Sequence, residues 1–390
     1  MKVPFKYMIK NFKNRKLSTV ITVIGIALVI FVFTAVLMLA DGVRKTLVST
    51  GSRDNVVVVR KGSNGEISSI ISGETQDVVA TLPYIARDSA GTPIISDQPV
   101  VVINLNTPDG AMNNVTLRGV NAQTIFELHP NVEIVQGRMF NPSLREVIVG
   151  QAVAKRYPQT RIGSSIKLAG DYWKVVGIFD AHGSGFDSEI WGDYRQVQDD
   201  FRRGDYVSSI TLKLDSQSDF NKFKEAFSMD KRLSEFEAKP EPEYFAEQSQ
   251  SLTTFIRVLG IFVTVIFSIG AAIGAMITMY AEVANRTVEI GTLRALGFGR
   301  RSVLTVFLLE AILISLIGGV LGLAFASFLQ LISISTMNYG SFSELTFSFA
   351  LNPSTVQASI IFAIIMGFVG GFLPSARAAR LNIVNALRGG

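Results

Sequence analysis

Residues 17–40 read LSTVITVIGIALVIFVFTAVLMLA and carry no charged side chain. A bilayer is crossed by about 20 apolar residues at a rise of about 1.5 Å each, so this stretch is long enough to span. Three more runs qualify: residues 258–281 (VLGIFVTVIFSIGAAIGAMITMYA), a run from Val303 to Ile334 interrupted only by Glu310, and a run from Thr355 to Leu373. The last is expected to stop at Pro374, because proline breaks a helix. Between the first two spans lie some two hundred residues of more polar composition. The fold class that follows is a polytopic α-helical membrane protein with four transmembrane helices and a large α+β extracytoplasmic domain between helices 1 and 2.

Charge points the same way. The chain has 390 residues, of which 18% are charged, with 37 basic and 32 acidic side chains and a net charge of +5. Soluble domains run nearer a quarter charged. Residues 1–40 and 253–390 hold 14 basic and 4 acidic side chains, whereas residues 41–252 hold 23 basic and 28 acidic. The positive excess adjoins apolar runs, so it is no nucleic-acid footprint. Lys2, Lys6, Lys10, Lys13, Arg15 and Lys16 precede the first span; Arg286, Arg294, Arg300 and Arg301 lie between the second and third; Arg377, Arg380 and Arg388 follow the fourth. The third-to-fourth connection has only Glu344. Four spans put all three basic segments on one side, and positively charged loops stay in the cytoplasm. Both termini are therefore expected in the cytoplasm and residues 41–252 outside. The first apolar run is too long for a signal peptide and no small-x-small site precedes Asp41, so an uncleaved anchor is expected. With no cysteine, the outer domain has no disulfide and rests on its own core.

The expected divisions are an amphipathic interfacial helix over residues 1–16, with Phe5, Met8, Ile9 and Phe12 on one face; the first span and a stalk over 17–50; the outer domain over 51–242; a stalk and the second span over 243–281; a cytoplasmic connection over 282–301; the third span over 302–334; a short outer loop over 335–354; the fourth span over 355–373; and a tail over 374–390. From Glu243 to Leu259 there is neither proline nor glycine, so a helix starting after Pro242 runs unbroken into the second span. In the outer domain, strand-like runs fall at Asn55 to Arg60, Pro99 to Leu105, Val115 to Val120, Glu146 to Val149, Ile166 to Leu168, Trp173 to Phe179 and Ser208 to Leu214. Phe220, Phe223 and Phe227 recur at helical spacing after the capping residues Asp215 and Ser216.

Catalytic chemistry has little to stand on. The two histidines, His129 and His182, are far apart in sequence. His182, Ser184 and Asp187 sit within six residues, but catalytic triads converge from distant segments, and a flexible loop is the expectation here. No metal cluster, catalytic group or cofactor site is expected in this chain. No Gly-x-x-x-x-Gly-Lys-Ser/Thr phosphate loop occurs, so energy from ATP, with its Mg²⁺, must be handled by another polypeptide. Glu310 lies only nine residues after Arg301 and is expected near the cytoplasmic interface, paired with Arg300, Arg301 or a neighbouring span. Gly270 and Gly274, Gly318 and Gly322, and Gly367 and Gly371 form Gly-x-x-x-Gly pairs that permit close helix approach, either within one chain or between two.

The connection Glu282-Val-Ala-Asn-Arg286-Thr-Val-Glu289-Ile-Gly291-Thr-Leu-Arg294-Ala-Leu-Gly297 allows Glu282 to pair with Arg286 and gathers Val283, Ile290, Leu293 and Leu296 on a broad apolar side. Such a helix is either a solvated connector or a segment suited to a partner's groove. These residues, with Phe307 to Gly322, the tail Pro374 to Arg388, the entry Lys10 to Ile26, and Glu146 to Gly150 and Val175 to Phe179 in the outer domain, resemble the MacB-type superfamily of ABC transporter permeases, which includes lipoprotein-release and FtsX-like cell-division permeases. The resemblance implies a multi-pass protein of the bacterial inner membrane, a second permease as homo- or heterodimer partner, and a coupling segment formed by Glu282, Arg286, Glu289, Ile290, Gly291, Leu293, Arg294 and Gly297. Without a fused nucleotide-binding domain, it implies a separate ABC ATPase subunit. It also implies export or extraction of a lipid, lipoprotein, peptide or drug, with a periplasmic adaptor or outer-membrane partner. The alternative is an FtsX-like regulator that activates a cell-wall hydrolase without moving cargo. Residues 60–140 offer no stretch that can be named from the sequence.

Overall fold

The computed structural model describes residues 16–338 and 341–383. The expected interfacial helix, apart from Lys16, and Arg388 of the tail lie outside the described residues. The chain divides into a helical unit and an α+β unit, the latter made of residues 42–253 together with 333–348.

The first apolar run becomes α1 (Lys16–Val48). Next come β1 (Asn55–Arg60), α2 (Gly73–Ala80), β2 (Ile95–Gln98), β3 (Val100–Asn106), β4 (Met112–Val120), α3 (Ile125–Leu128), β5 (Glu133–Gly137), β6 (Glu146–Gly150), α4 (Gln151–Arg156), β7 (Ser165–Leu168), β8 (Asp171–Asp180), β9 (Glu189–Asp193), α5 (Tyr194–Asp200), β10 (Ser209–Lys213), α6 (Phe220–Met229) and β11 (Phe236–Pro240). An antiparallel sheet runs β11-β1-β10-β2, with Asn55 opposite Lys213 and Val58 opposite Ile210. Its core joins Val56, Val58, Ile210 and Leu212 to Phe223 and Phe227 of α6. The helical spacing of these two phenylalanines puts both on the buried face.

A second sheet runs β3-β4-β9-β6-β8-β5, with β7 paired to β8. The β4–β9 and β6–β8 pairs are parallel. Central strand β6, Glu-Val-Ile-Val-Gly, is buried along its whole length, which is why it reads as an unbroken apolar run instead of an alternation. Val147, Val149, Trp173, Val175 and Ile190 form a separate core on this sheet.

Four expected boundaries change. Helix α7 (Glu241–Asn285) extends four residues past the expected end of the second span, so Glu282 belongs to it. Pro242 is accommodated because it lies in the first turn, where no intrahelical N–H bond is lost. The connection's own helix, α8 (Thr287–Ala295), is therefore shorter than the 282–301 segment. Helix α9 (Arg300–Ser327) closes with a 3₁₀ turn at Phe328–Leu331, and the chain then leaves the helical unit. The segment read as a short outer loop is a hairpin of β12 (Ser333–Asn338) and β13 (Ser343–Ser348), belonging to the α+β unit. Finally, α10 (Pro353–Arg380) does not stop at Pro374. The carbonyl that the proline ring opposes belongs to Gly370, and the adjacent Gly370-Gly371 pair adds no side-chain restraint to the distortion a proline imposes.

In the helical unit, a Cβ at Gly318 would meet the Val23 carbonyl of α1 at 2.9 Å, and one at Gly367 would meet Ile312 and Ser315 of α9 at 2.8 Å. Gly322 lies against Ala27 and Phe31, and Gly371 against Ala311. Two of the three glycine pairs thus pack within the chain. Gly270 and Gly274 have nothing within 4 Å of that position. Polar ties add to the packing: Thr34 bonds Ser359 at 2.8 Å, and Asp41 receives Arg257 at 3.0 Å, Thr355 at 2.8 Å and Asn352 at 3.2 Å. In lipid these contacts substitute for the absent hydrophobic drive.

Candidate coupling site

At the end of α7 the helix breaks at Arg286, whose φ of −107° lies outside the helical range. The break turns a buried guanidinium toward α9. Arg286 donates from Nη1 and Nη2 to the Glu310 carboxylate at 3.1 and 3.3 Å, pairs with Glu282 one turn earlier, and stands 5.7 Å from the centre of the Phe307 ring. Arg286 and Glu310 are 6% and 3% exposed, so each would be costly to bury alone. Glu310 is therefore paired with Arg286, at the break just after the second-span helix, and not with Arg300 or Arg301, which are exposed.

Helix α8 is held on two further sides. Ile290 packs with Met279, Val283, Val303, Phe307, Ala378 and Ala379 in one cluster from all four elements. Arg294 Nη1 donates to the Ala379 carbonyl of α10 at 2.7 Å, so the side chain read as a partner contact is engaged inside the chain. The helix ends in a Schellman motif: Gly297 N–H bonds the Arg294 carbonyl at 3.2 Å and Phe298 N–H the Leu293 carbonyl at 3.2 Å. Gly297 has φ +94°, a conformation that glycine adopts without strain. The expected apolar side is smaller than Val283, Ile290, Leu293 and Leu296 together. Leu296 is 67% exposed because the helix ends before it, Leu293 is half-buried, and Val283 belongs to α7. Gly291 is buried, while Val288, Glu289, Thr292 and Ala295 form an exposed face. The result is a short helix rigidly seated on α7, α9 and α10, with one face left outward.

The α+β unit contains a cluster that the sequence did not reveal. Arg118 of β4, 2% exposed, donates to both oxygens of Glu66 at 2.7 and 2.8 Å, to both oxygens of Glu189 at 2.8 Å, and to Gln98 at 2.8 Å. Burial alone would raise the Glu66 carboxyl, but Arg118 beside it brings it below its usual range. Burial and the nearby Arg118 push His129 down to about 3, so it is uncharged at neutral pH. Every nitrogen of Arg118 is taken, so the cluster holds β4, β9 and the Glu66 turn together; it presents no vacant donor. Residues 66, 98, 118 and 189 are scattered in sequence, and no local pattern predicts their meeting. The His182 segment forms no triad. Asp187 accepts from the Ala181 and Gly183 N–H groups, both at 2.7 Å, and so shapes a turn.

The sequence profile described as MacB-like periplasmic core domain matches residues 19–228, and that described as FtsX-like permease C-terminal matches residues 261–383. A macrolide export ATP-binding/permease protein, MacB 2 of Yersinia pestis bv. Antiqua, is 24% identical over 407 aligned positions covering 98% of this chain; the chain spans 57% of that protein's length. An uncharacterized ABC transporter permease, YvrN of Bacillus subtilis, is 28% identical over 96% of each chain. The periplasmic region of MacB from Actinobacillus actinomycetemcomitans, a solved structure, aligns with 49% of this chain and 90% of its own, at 14% identity and a TM-score of 0.38.

Proposed function

The chain belongs to the MacB-like family of ABC transporter permeases, and from that membership we propose that it couples ATP hydrolysis in a separate ATPase subunit to work done by its own α+β unit. ATP and Mg²⁺ bind the partner; this chain is the non-catalytic permease, paired with a second permease in the bacterial inner membrane. Both termini and α8 face the cytoplasm, and the α+β unit faces outward. The work is export or extraction of a lipid, lipoprotein, peptide or drug. One observation carries the proposal: α8 is fixed to three transmembrane helices by Ile290, Arg294 and the Glu282-Arg286-Glu310 cluster, yet keeps the Val288-Glu289-Thr292 face outward. A push on that face is delivered to α7, α9 and α10 without being dissipated in a loose loop.

Glu289→Lys and Val288→Glu change exposed side chains of that face. Each is expected to weaken co-purification of the ATPase by about tenfold and to abolish its stimulated turnover, while membrane insertion survives. If both variants keep wild-type association and turnover, α8 is only a connector. Sidedness is checked separately. The chain has no cysteine, so Ser216→Cys and Thr292→Cys each introduce a single label site. In intact cells Ser216→Cys should label with an impermeant maleimide, and Thr292→Cys only after permeabilisation. The opposite pattern inverts the topology.

A further inference from the structure

Glu344 is the only charged residue between Glu310 and Arg377. A carboxylate in so apolar a stretch needs partners, and the α+β unit supplies three. Arg156 Nε meets it at 2.8 Å, Asn113 Nδ2 at 3.3 Å, and the hydroxyl of Tyr157, itself 1% exposed, donates to it. Burial and the bond to Glu344 push the Tyr157 hydroxyl up to about 12, so it remains a donor throughout the physiological range. Around this point the rest of the hairpin is seated by Thr116 Oγ1 to Ser343 Oγ at 2.7 Å, Asn114 Nδ2 to the Phe342 carbonyl at 2.8 Å, and Thr346 N–H to Ser188 Oγ at 2.9 Å. Gly42 lies against Ser348 and Phe347, where a side chain would not fit. An isolated two-stranded hairpin is marginal in water, so these contacts are what orders β12 and β13.

We propose that Glu344 is a positioning residue that clamps the hairpin joining α9 and α10 onto β4 and Tyr157, so that movement of those two helices enters the α+β unit through β13 as well as through α1 and α7. Without the clamp the hairpin is a slack linker, and only two of the four chain crossings transmit force. The transmission role rests on the permease function proposed above; the docking role does not.

Two measurements on the full-length protein, in nanodiscs with its ATPase, separate them. The first is amide exchange in β12 and β13 without nucleotide. Glu344→Ala should accelerate it by about tenfold or more, and Tyr157→Phe by less, because charge-assisted bonds are lost from a half-buried carboxylate site. The second is the ATP-dependent change in fluorescence of a dye on the α+β unit, attached through an unnatural amino acid at Ser216 to leave cysteine chemistry free. Glu344→Ala should lose this change while ATP turnover continues. Adding Thr116→Cys and Ser343→Cys, whose hydroxyls are already in contact, should restore it when oxidised and not when reduced. Unchanged exchange in Glu344→Ala overturns the clamp, as does a lost response that the oxidised pair cannot restore. A wild type without any nucleotide response overturns the permease coupling and the transmission role with it, while the exchange measurement still decides docking.

Discussion

Arg118→Met is expected to destabilise the α+β unit by about 3–5 kcal/mol, because it leaves the buried Glu66 and half-buried Glu189 carboxylates without their shared cation. Glu66 retains a bond from Ser209 at 2.5 Å and Glu189 one from Trp191 at 3.0 Å, neither of which neutralises a charge. The readouts are the thermal midpoint of the full-length protein in detergent and amide exchange in β4 and β9. The triple variant Arg118→Met, Glu66→Gln, Glu189→Gln removes all three charges together and should recover most of the loss, since no uncompensated ion remains. A single variant within about 0.5 kcal/mol of wild type, or a triple variant as poor as the single, would show that the cluster does not hold β4, β9 and the Glu66 turn together.

Arg286→Met is the second large effect. It strands Glu282 and Glu310 beside Phe307 and removes the anchor at the break between α7 and α8. A loss of about 3–5 kcal/mol is expected, read as lower yield of folded protein, a lower midpoint and loss of ATPase co-purification. Glu310→Gln should be milder, because Arg286 then keeps Glu282 as its counter-ion and the amide still accepts a hydrogen bond. The order of these two variants decides what Glu310 does. If Glu310→Gln proves the more damaging to turnover while the protein stays folded, the carboxylate acts as an ion or proton site and not as the partner of Arg286.

How much of this was legible beforehand follows from the range of each signal. Glu146 to Val149 and Asn55 to Arg60 read correctly as strands because their own apolar runs declare them. β2 (Ile-Ser-Asp-Gln), β5 (Glu-Ile-Val-Gln-Gly) and β11 (Phe-Glu-Ala-Lys-Pro) did not, since each is short, carries few large apolar residues and is ordered by the neighbour it pairs with. At the coupling site, Gly297 and the Glu282–Arg286 spacing were visible because a helix stop and an i, i+4 pair are local. The engagement of Arg294 with Ala379, 85 positions away, was not. Nor was the hairpin at 333–348, whose residues read as a loop because the surface that seats them comes from β4, Tyr157 and Ser188.

The sequence by itself determined the four spans, the class of the inserted domain and the family, because span length, side-chain period and charge bias are properties of contiguous residues. Tertiary structure alone decided which polar groups meet: Arg118 with Glu66 and Glu189, Arg286 with Glu310, Glu344 with Tyr157 and Arg156. It also decided that Gly318, Gly322, Gly367 and Gly371 face neighbouring helices of the same chain while Gly270 and Gly274 do not. The physical reason is common to all of them. A buried charge or a glycine contact is settled by whichever distant group packing brings within a few ångströms, and that proximity is written in no local stretch of the chain.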